Sequence, residues 1–142
     1  MAVYLRNCAG GVVFAGEDVF LLKNDKGEWI MPKGVIRDRR DAREIALYRV
    51  EAEAGIRAEI VAFVGRTSYD FFSRSRRREV SNRIQWFAMR APDRRYRVAF
   101  EQGFLDGGYY PCEAAMRLLT HEQDREILRR TREIVAAPAP DG

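Results

Sequence analysis

Residues 32–56 read PKGVIRDRRDAREIALYRVEAEAGI, and the order of structural signals in this stretch governs how the rest of the chain is read. Pro32 and Gly34 interrupt regular structure, while Asp41 followed three residues later by Glu44 forms a capping-box pattern. Gly55 supplies the C-terminal stop. The spacing predicts a helix of about fourteen residues beginning near Asp41, roughly 21 Å long at the ordinary rise per residue. Arg49 and Glu53 are four apart and share a face, so an ion pair is the simplest fate of that carboxylate. Glu51 lies about 160° and Glu44 about 180° around the helix from Glu53, so both face elsewhere.

Outward from this helix the chain alternates extended and helical patterns. Upstream, VYLRNCAGGVVF at 3–14 is apolar and β-branched around a Gly-Gly pair, which suits a strand with a bulge or a close backbone approach. VFLLKN at 19–24 and EWIM at 28–31 read as two further strands able to pair across the DKG turn. Downstream, AEIVAFVGRT at 58–67, SYDFF at 68–72 and VSNRIQWFAMR at 80–90 read as strands joined by the basic hairpin SRSRRRE. Residues 91–108 read as loop with a turn at LDGG, and YYPCEAAMRLL as a short helix with Pro111 at its start. Thr120 with Gln123 is expected to cap a last amphipathic helix reaching about Val135. These elements predict an α/β domain, helices packed on a mixed sheet, over residues 1–136, with a frayed tail at 137–142.

Composition bounds the class. The 142 residues are 46% hydrophobic and 32% charged, as in a globular domain rather than a disordered or fibrous chain. No apolar run approaches the roughly 18 residues of a membrane span, and the N-terminus lacks a secretory h-region, so a cytoplasmic, membrane-independent protein is expected. Cys8 and Cys112 lie far apart without metal-ligand spacing and read as small buried hydrophobes. The net charge of +4 comes almost entirely from arginine, since Lys23, Lys26 and Lys33 are the only lysines. Guanidinium forks match phosphate and carboxylate oxygens bidentately. The densest basic run, with Arg74, Arg76, Arg77 and Arg78, reads either as a solvated face or as a contact for nucleic-acid phosphates. Aromatic residues flank it, and of these Tyr69 and Trp86 are the candidates to stack a base. His121, just after Thr120, reads as a surface first-turn residue.

The loop and helix at 34–56 resemble the Nudix box: Gly, five residues, Glu, seven residues, Arg-Glu, an aliphatic, any residue, Glu-Glu, any residue, Gly, aliphatic. Laid on the chain without a gap, the pattern matches Gly34, Val50, Glu53, Gly55 and Ile56. Arg40 stands at the first glutamate position, Tyr48 at the arginine, Arg49 at the next glutamate and Ala52 at the first of the paired glutamates. WIMPKG before the box and EQGFLDGGYYPCEAAMRLLTHEQDRE near the end are similar to relatives that hydrolyse diadenosine polyphosphates. SYDFF through RIQWFAM resembles the paired strands of that branch, with Asn82 where a lysine is usual. The resemblance spans residues 8–130 and implies a Nudix-type α/β/α sandwich with a mixed sheet.

The resemblance implies a nucleoside di- or polyphosphate partner and magnesium or manganese held by the box glutamates. Here Arg40, Arg49, Ala52 and Glu53 change the charge at those positions from about −4 to about +1. Glu53, with Glu101 as an auxiliary acid in a later loop, is the candidate for catalysis and for any metal. Lys33, Gly34, Arg37, Arg40 and Arg49, near the N-terminal end or working face of the helix, are candidates for phosphate binding, and Tyr69 and Trp86 for the base. Three readings follow. The favoured one is nucleotide binding with hydrolysis lost or weakened. The others are an active pyrophosphohydrolase with an altered metal site, and a nucleic-acid or protein-interaction module.

Overall fold

The computed structural model describes residues 3–136, so the expected frayed tail at 137–142 lies outside the described residues. The chain runs β1 (Tyr4–Ala15), β2 (Asp18–Lys23), β3 (Trp29–Ile30), β4 (Lys33–Val35), α1 (Ala42–Ala54), β5 (Glu59–Ser73) and β6 (Arg78–Arg90). A single 3-10 turn at Phe100–Gln102 precedes β7 (Asp106–Pro111), α2 (Cys112–Leu118) and α3 (Glu122–Ala136). The strands order as β3-β2-β1-β6-β5, with β4 added to β1 and β7 to β2. β1 and β6 pair in parallel from Tyr4–Val80 to Phe14–Arg90, and β5 returns antiparallel to β6. The sheet is therefore mixed, as expected.

Alternation along β1 divides the two faces of the sheet. Cys8, Val12 and Phe14 point to the side covered by α2 and α3, where they join Ile84, Trp86, Leu119, Ile127 and Leu128. Ala9, Val13 and Ala15 point to the other side, where Ile45, Ala46, Val50 and Ala54 of α1 close the second core. This is the α/β/α sandwich. None of the described helices is long and apolar enough to cross a membrane.

The Gly10-Gly11 pair serves close approach and not a bulge, since β1 keeps unbroken register with β6 through both residues. A Cβ on Gly10 would lie 2.6 Å from the Pro32 carbonyl oxygen and 2.7 Å from the Trp86 ring. The neighbouring Gly11 N–H donates to that same carbonyl at 3.0 Å, which draws the segment ahead of β4 onto β1.

Three expectations are corrected. Residues 106–111 form β7, not a turn followed by a helix, because β2 offers them a free edge and pairs from Asp18–Pro111 to Lys23–Asp106. The pattern split at Thr67 is one strand, β5, with register shifts at Ile60/Ala62 and Phe63/Gly65. Thr120 does not spend its hydroxyl on capping α3; the oxygen accepts from the Trp29 N–H at 2.9 Å and ties the chain before α3 to β3. A long-range donor outcompetes the local one there.

Gly10→Ala is expected to destabilise the protein by about 3 kcal/mol, the upper range of overpacking, because its Cβ meets backbone and a fully buried ring. Urea unfolding checks this; Gly16→Ala, where a Cβ meets nothing within 4 Å, is the control for backbone conformation alone.

Candidate functional site

The signals around α1 place its side chains. Asp41 is the N-cap, its carboxylate accepting from the Arg43 N–H at 2.7 Å, and Gly55 ends the helix in the left-handed region with φ 66°. Val50 and Ala54 anchor one face in the core. Arg49 is thereby aimed across β4, and Gly34 lets it pass: a Cβ there would collide with the Arg49 side chain at Nε, Cδ and Cγ.

Arg49 ends on Glu53, donating from Nε at 2.9 Å and from a terminal nitrogen at 2.5 Å to one carboxylate oxygen. The Glu53 side chain is 3% exposed and that of Arg49 33% exposed. Burial pushes the Glu53 carboxyl above its ordinary value, and the Arg49 guanidinium, with Lys33, opposes that rise. Glu51 pairs instead with Arg57 at 3.1 Å on the exposed side of the helix, as the helical geometry requires.

Beside this pair opens a cleft of about 440 Å³. Lys33, Gly34, Arg37, Arg40, Arg49 and Tyr69, scattered over 37 positions of sequence, all line it. The loop carrying Arg37 and Arg40 is tightly turned, with Asp38 and Arg39 both at positive φ (59° and 56°) and the Arg40 N–H bonded to the Arg37 carbonyl. Arg6, Cys8, Tyr48 and Asn82 also line the cleft, although sequence reasoning did not select them. Arg6 and Asn82 face each other across β1 and β6, a register the sequence does not print, whereas Tyr48 was visible as the aromatic residue at the arginine position of the box. Five lining side chains are cationic, and Asp38 is the one lining acid.

Other selected residues stand elsewhere. Trp86 is fully buried, and its indole N–H donates to the Thr67 hydroxyl at 2.8 Å, so it has no ring face to offer a base. Tyr69 lies in a stacked row with Phe71 (5.9 Å) and His121 (6.1 Å), and His121 reaches the Glu28 carboxylate at 3.2 Å. Glu101 is exposed on the 3-10 turn and does not line the cleft. That turn is held under the end of α1 by the Ala99 N–H on the Glu53 carbonyl and the Gln102 amide on the Ala52 carbonyl. In the hairpin, Arg76 and Arg78 lie 4.2 and 5.4 Å from the Tyr4 ring centroid, and neither they nor Arg74 and Arg77 reach the cleft.

The NUDIX domain model matches residues 2–131. The chain belongs to the Nudix family. Among solved structures, it is similar to the E. coli dihydroneopterin triphosphate pyrophosphohydrolase, with 18% identity and a TM-score of 0.76, covering 96% of this chain and 100% of that one. It is also similar to a C. elegans Ap4A hydrolase binary complex, with 18% identity and a TM-score of 0.68 over 92% and 98% of the two chains. A Nudix hydrolase from Nitrosomonas europaea shares 17% identity at a TM-score of 0.73, covering 98% of this chain and 77% of that one. The Nudix fold is consistent with a nucleoside polyphosphate hydrolase-like function, and Nudix enzymes generally use magnesium or manganese. The residues here do not fit such an ion. Magnesium takes near-octahedral oxygen ligation, usually with carboxylates. Yet Glu53 is engaged by Arg49, and no three His, Cys, Asp or Glu among the described residues are grouped to hold a metal.

Removing one partner of a buried pair leaves an uncompensated charge. Arg49→Met is therefore expected to cost about 3 kcal/mol at neutral pH, and Arg49→Met with Glu53→Gln to recover most of it in urea unfolding. The pH dependence has a definite sign: a carboxyl raised in the folded state contributes stability at low pH and loses it as pH rises. Relative to Glu53→Gln, the wild-type protein is thus expected to lose stability from about pH 4.5, the ordinary value, upward to the raised one.

Proposed function

We propose that this protein binds a nucleoside di- or polyphosphate through arginine in place of metal, and hydrolyses it weakly or not at all. The observation that carries this reading is the Arg49–Glu53 pair, which puts a guanidinium at 2.5 Å from the one box carboxylate that remains. A divalent cation at that oxygen would have to displace Arg49 and enter a cleft already lined by five cationic side chains. Arg37, Arg40 and Lys33 present donors toward the same space, and guanidinium groups stabilise phosphate oxygens without a metal. Without an activated water the bound pyrophosphate has no supplied nucleophile.

The base, on this reading, stacks on Tyr48, a residue that lines the cleft and is 58% exposed. Such stacking contributes about 1–3 kcal/mol per base.

Isothermal titration with adenosine diphosphate in excess chelator, run beside a product assay with magnesium, tests the proposal. Binding in chelator without magnesium-dependent product is expected. Arg40→Gln is expected to weaken both adenosine diphosphate and inorganic pyrophosphate about tenfold, the loss of one charged hydrogen bond. Tyr48→Ala is expected to weaken the nucleotide about tenfold while leaving inorganic pyrophosphate unchanged. Magnesium-dependent turnover abolished by Glu53→Gln would overturn the reading and identify a working hydrolase.

A further inference from the structure

β5 ends the sheet on the side away from β3, and among the described residues it pairs with β6 alone. No backbone hydrogen bond outside the regular ladders engages residues 59–73 among the described residues, so the outer N–H and C=O groups of the strand are left to solvent or to another chain. Long exposed edges are templates for pairing, and proteins blunt them with bulges, proline or lysine. Here the blunting is uneven. The first half of β5 carries both register shifts, at Ile60/Ala62 and Phe63/Gly65, whereas Gly65–Ser73 runs roughly 30 Å along β6 with no shift, proline or lysine. Beside it a groove of about 390 Å³ opens between Arg66, Thr67 and Ser68 and, on α3, Glu122, Gln123 and Arg130, so the helix leaves that edge uncovered.

The side chains of this stretch are ordered by charge. Arg66, Ser68 and Asp70 alternate along one face of the strand, and all three are exposed. Among the described residues neither charge enters an ion pair within the chain. In antiparallel pairing, directly opposite side chains share a face, so a bulge-free strand paired with its own copy has its two-fold axis on a residue and not between two. With the axis on Ser68, Arg66 of each copy stands opposite Asp70 of the other, Thr67 opposite Tyr69 and Gly65 opposite Phe71. With the axis on Arg66 or Asp70, like charges meet; on Thr67 or Tyr69, neither charge finds its opposite. Centring on Ser68 also brings Phe72, 59% exposed, to the segment of the other copy that holds Phe63, 44% exposed.

We infer that the Gly65–Ser73 edge is a docking surface for a second copy of this chain, joined by antiparallel strand pairing about a two-fold axis at Ser68. Such a contact is isologous: each copy presents the same edge, both edges are consumed, and the assembly closes at two. Backbone hydrogen bonds supply the attraction, and the crossed Arg66–Asp70 pairs select the register. The two seven-stranded sheets become one. Because the axis stands perpendicular to the sheet, the two clefts, each with Tyr69 on its wall, open on the same face of the dimer. The inference is independent of what the cleft binds.

Sedimentation equilibrium of the full chain is expected to show monomer and dimer in exchange, with a dissociation constant below about 100 μM. Arg66→Asp and Asp70→Arg each set like charges opposite one another and are each expected to weaken self-association at least about tenfold, with the thermal midpoint retained because both positions are exposed. An equimolar mixture of the two variants restores opposite charges across the axis and is expected to dimerise within about threefold of the wild type. Ser68→Cys places two thiols across the axis at a Cα separation of about 4.5–5.5 Å, and a disulfide-linked dimer is expected under mild oxidation, whereas Ser75→Cys in the hairpin is expected to stay unlinked. The native Cys8 and Cys112 are buried and do not compete. A wild-type chain that stays monomeric at about 100 μM, or a dimer that neither charge swap weakens, would overturn the inference. Loss of the dimer in both variants without recovery on mixing, or linkage through Ser75→Cys and not Ser68→Cys, would equally rule out this register and the docking surface built on it.

Discussion

The ion pair between Arg49 and Glu53 is the contact on which the site depends. It needs three things at once: a helix that sets the two residues four apart, a glycine at 34 that lets the arginine cross β4, and a core that seals the carboxylate. A buried carboxylate without a counter-charge costs several kcal/mol, so the arginine is held in one place by the acid as firmly as the acid is tolerated because of the arginine. The consequence reaches the cleft. A guanidinium locked by Glu53 is fixed at the cleft wall, and the pair has no net charge where the family pattern of carboxylates would be negative.

On the proposed reading, the side chains mounted there set which ligands the same frame favours. The sandwich, the box glycines and the Pro-Lys-Gly approach all position a loop against the start of α1, and none of them depends on the sign of the charges mounted there. Replacing carboxylates by arginine keeps the scaffold and inverts the sign of the charges at those positions. Fold and chemistry are separable here because the residues that build one are buried aliphatics and glycines, whereas Arg37, Arg40 and Arg49, which set the charge, are long side chains at least partly exposed.

Across the sheet, Arg6 on β1, Asn82 on β6 and Tyr69 on β5 are ordered by a related principle whose central residue is neutral. Asn82 stores no charge, but its two-sided amide fixes the orientation of a cation on one neighbour and a hydroxyl on the other. Buried amides are costly unless satisfied at both ends, and satisfaction at both ends is what removes the rotational freedom of Arg6 and Tyr69. The two halves of the cleft are each preorganised by one buried polar residue, Glu53 in one and Asn82 in the other.

Local signals were legible where neighbours in sequence decide the outcome. The ends of α1, the Arg49–Glu53 pairing, the outward turn of Glu51, the β5–β6 hairpin and the burial of both cysteines all follow from spacing of a few residues, and the structure has them. Lys33, Gly34, Arg37, Arg40 and Arg49 lay within one quoted stretch, and they line one cleft. What the tertiary structure alone decided is what depends on strand register and on competition between distant partners. Residues 106–111 became a strand because β2 had an unpaired edge, Thr120 gave its oxygen to Trp29, and Trp86 went into the core because the parallel pairing of β1 with β6 turned it inward. Arg6 and Asn82 are 76 residues apart and meet only through that same pairing. A sequence displays which side chains recur along one segment, but a site assembled across three strands exists only once their register is set.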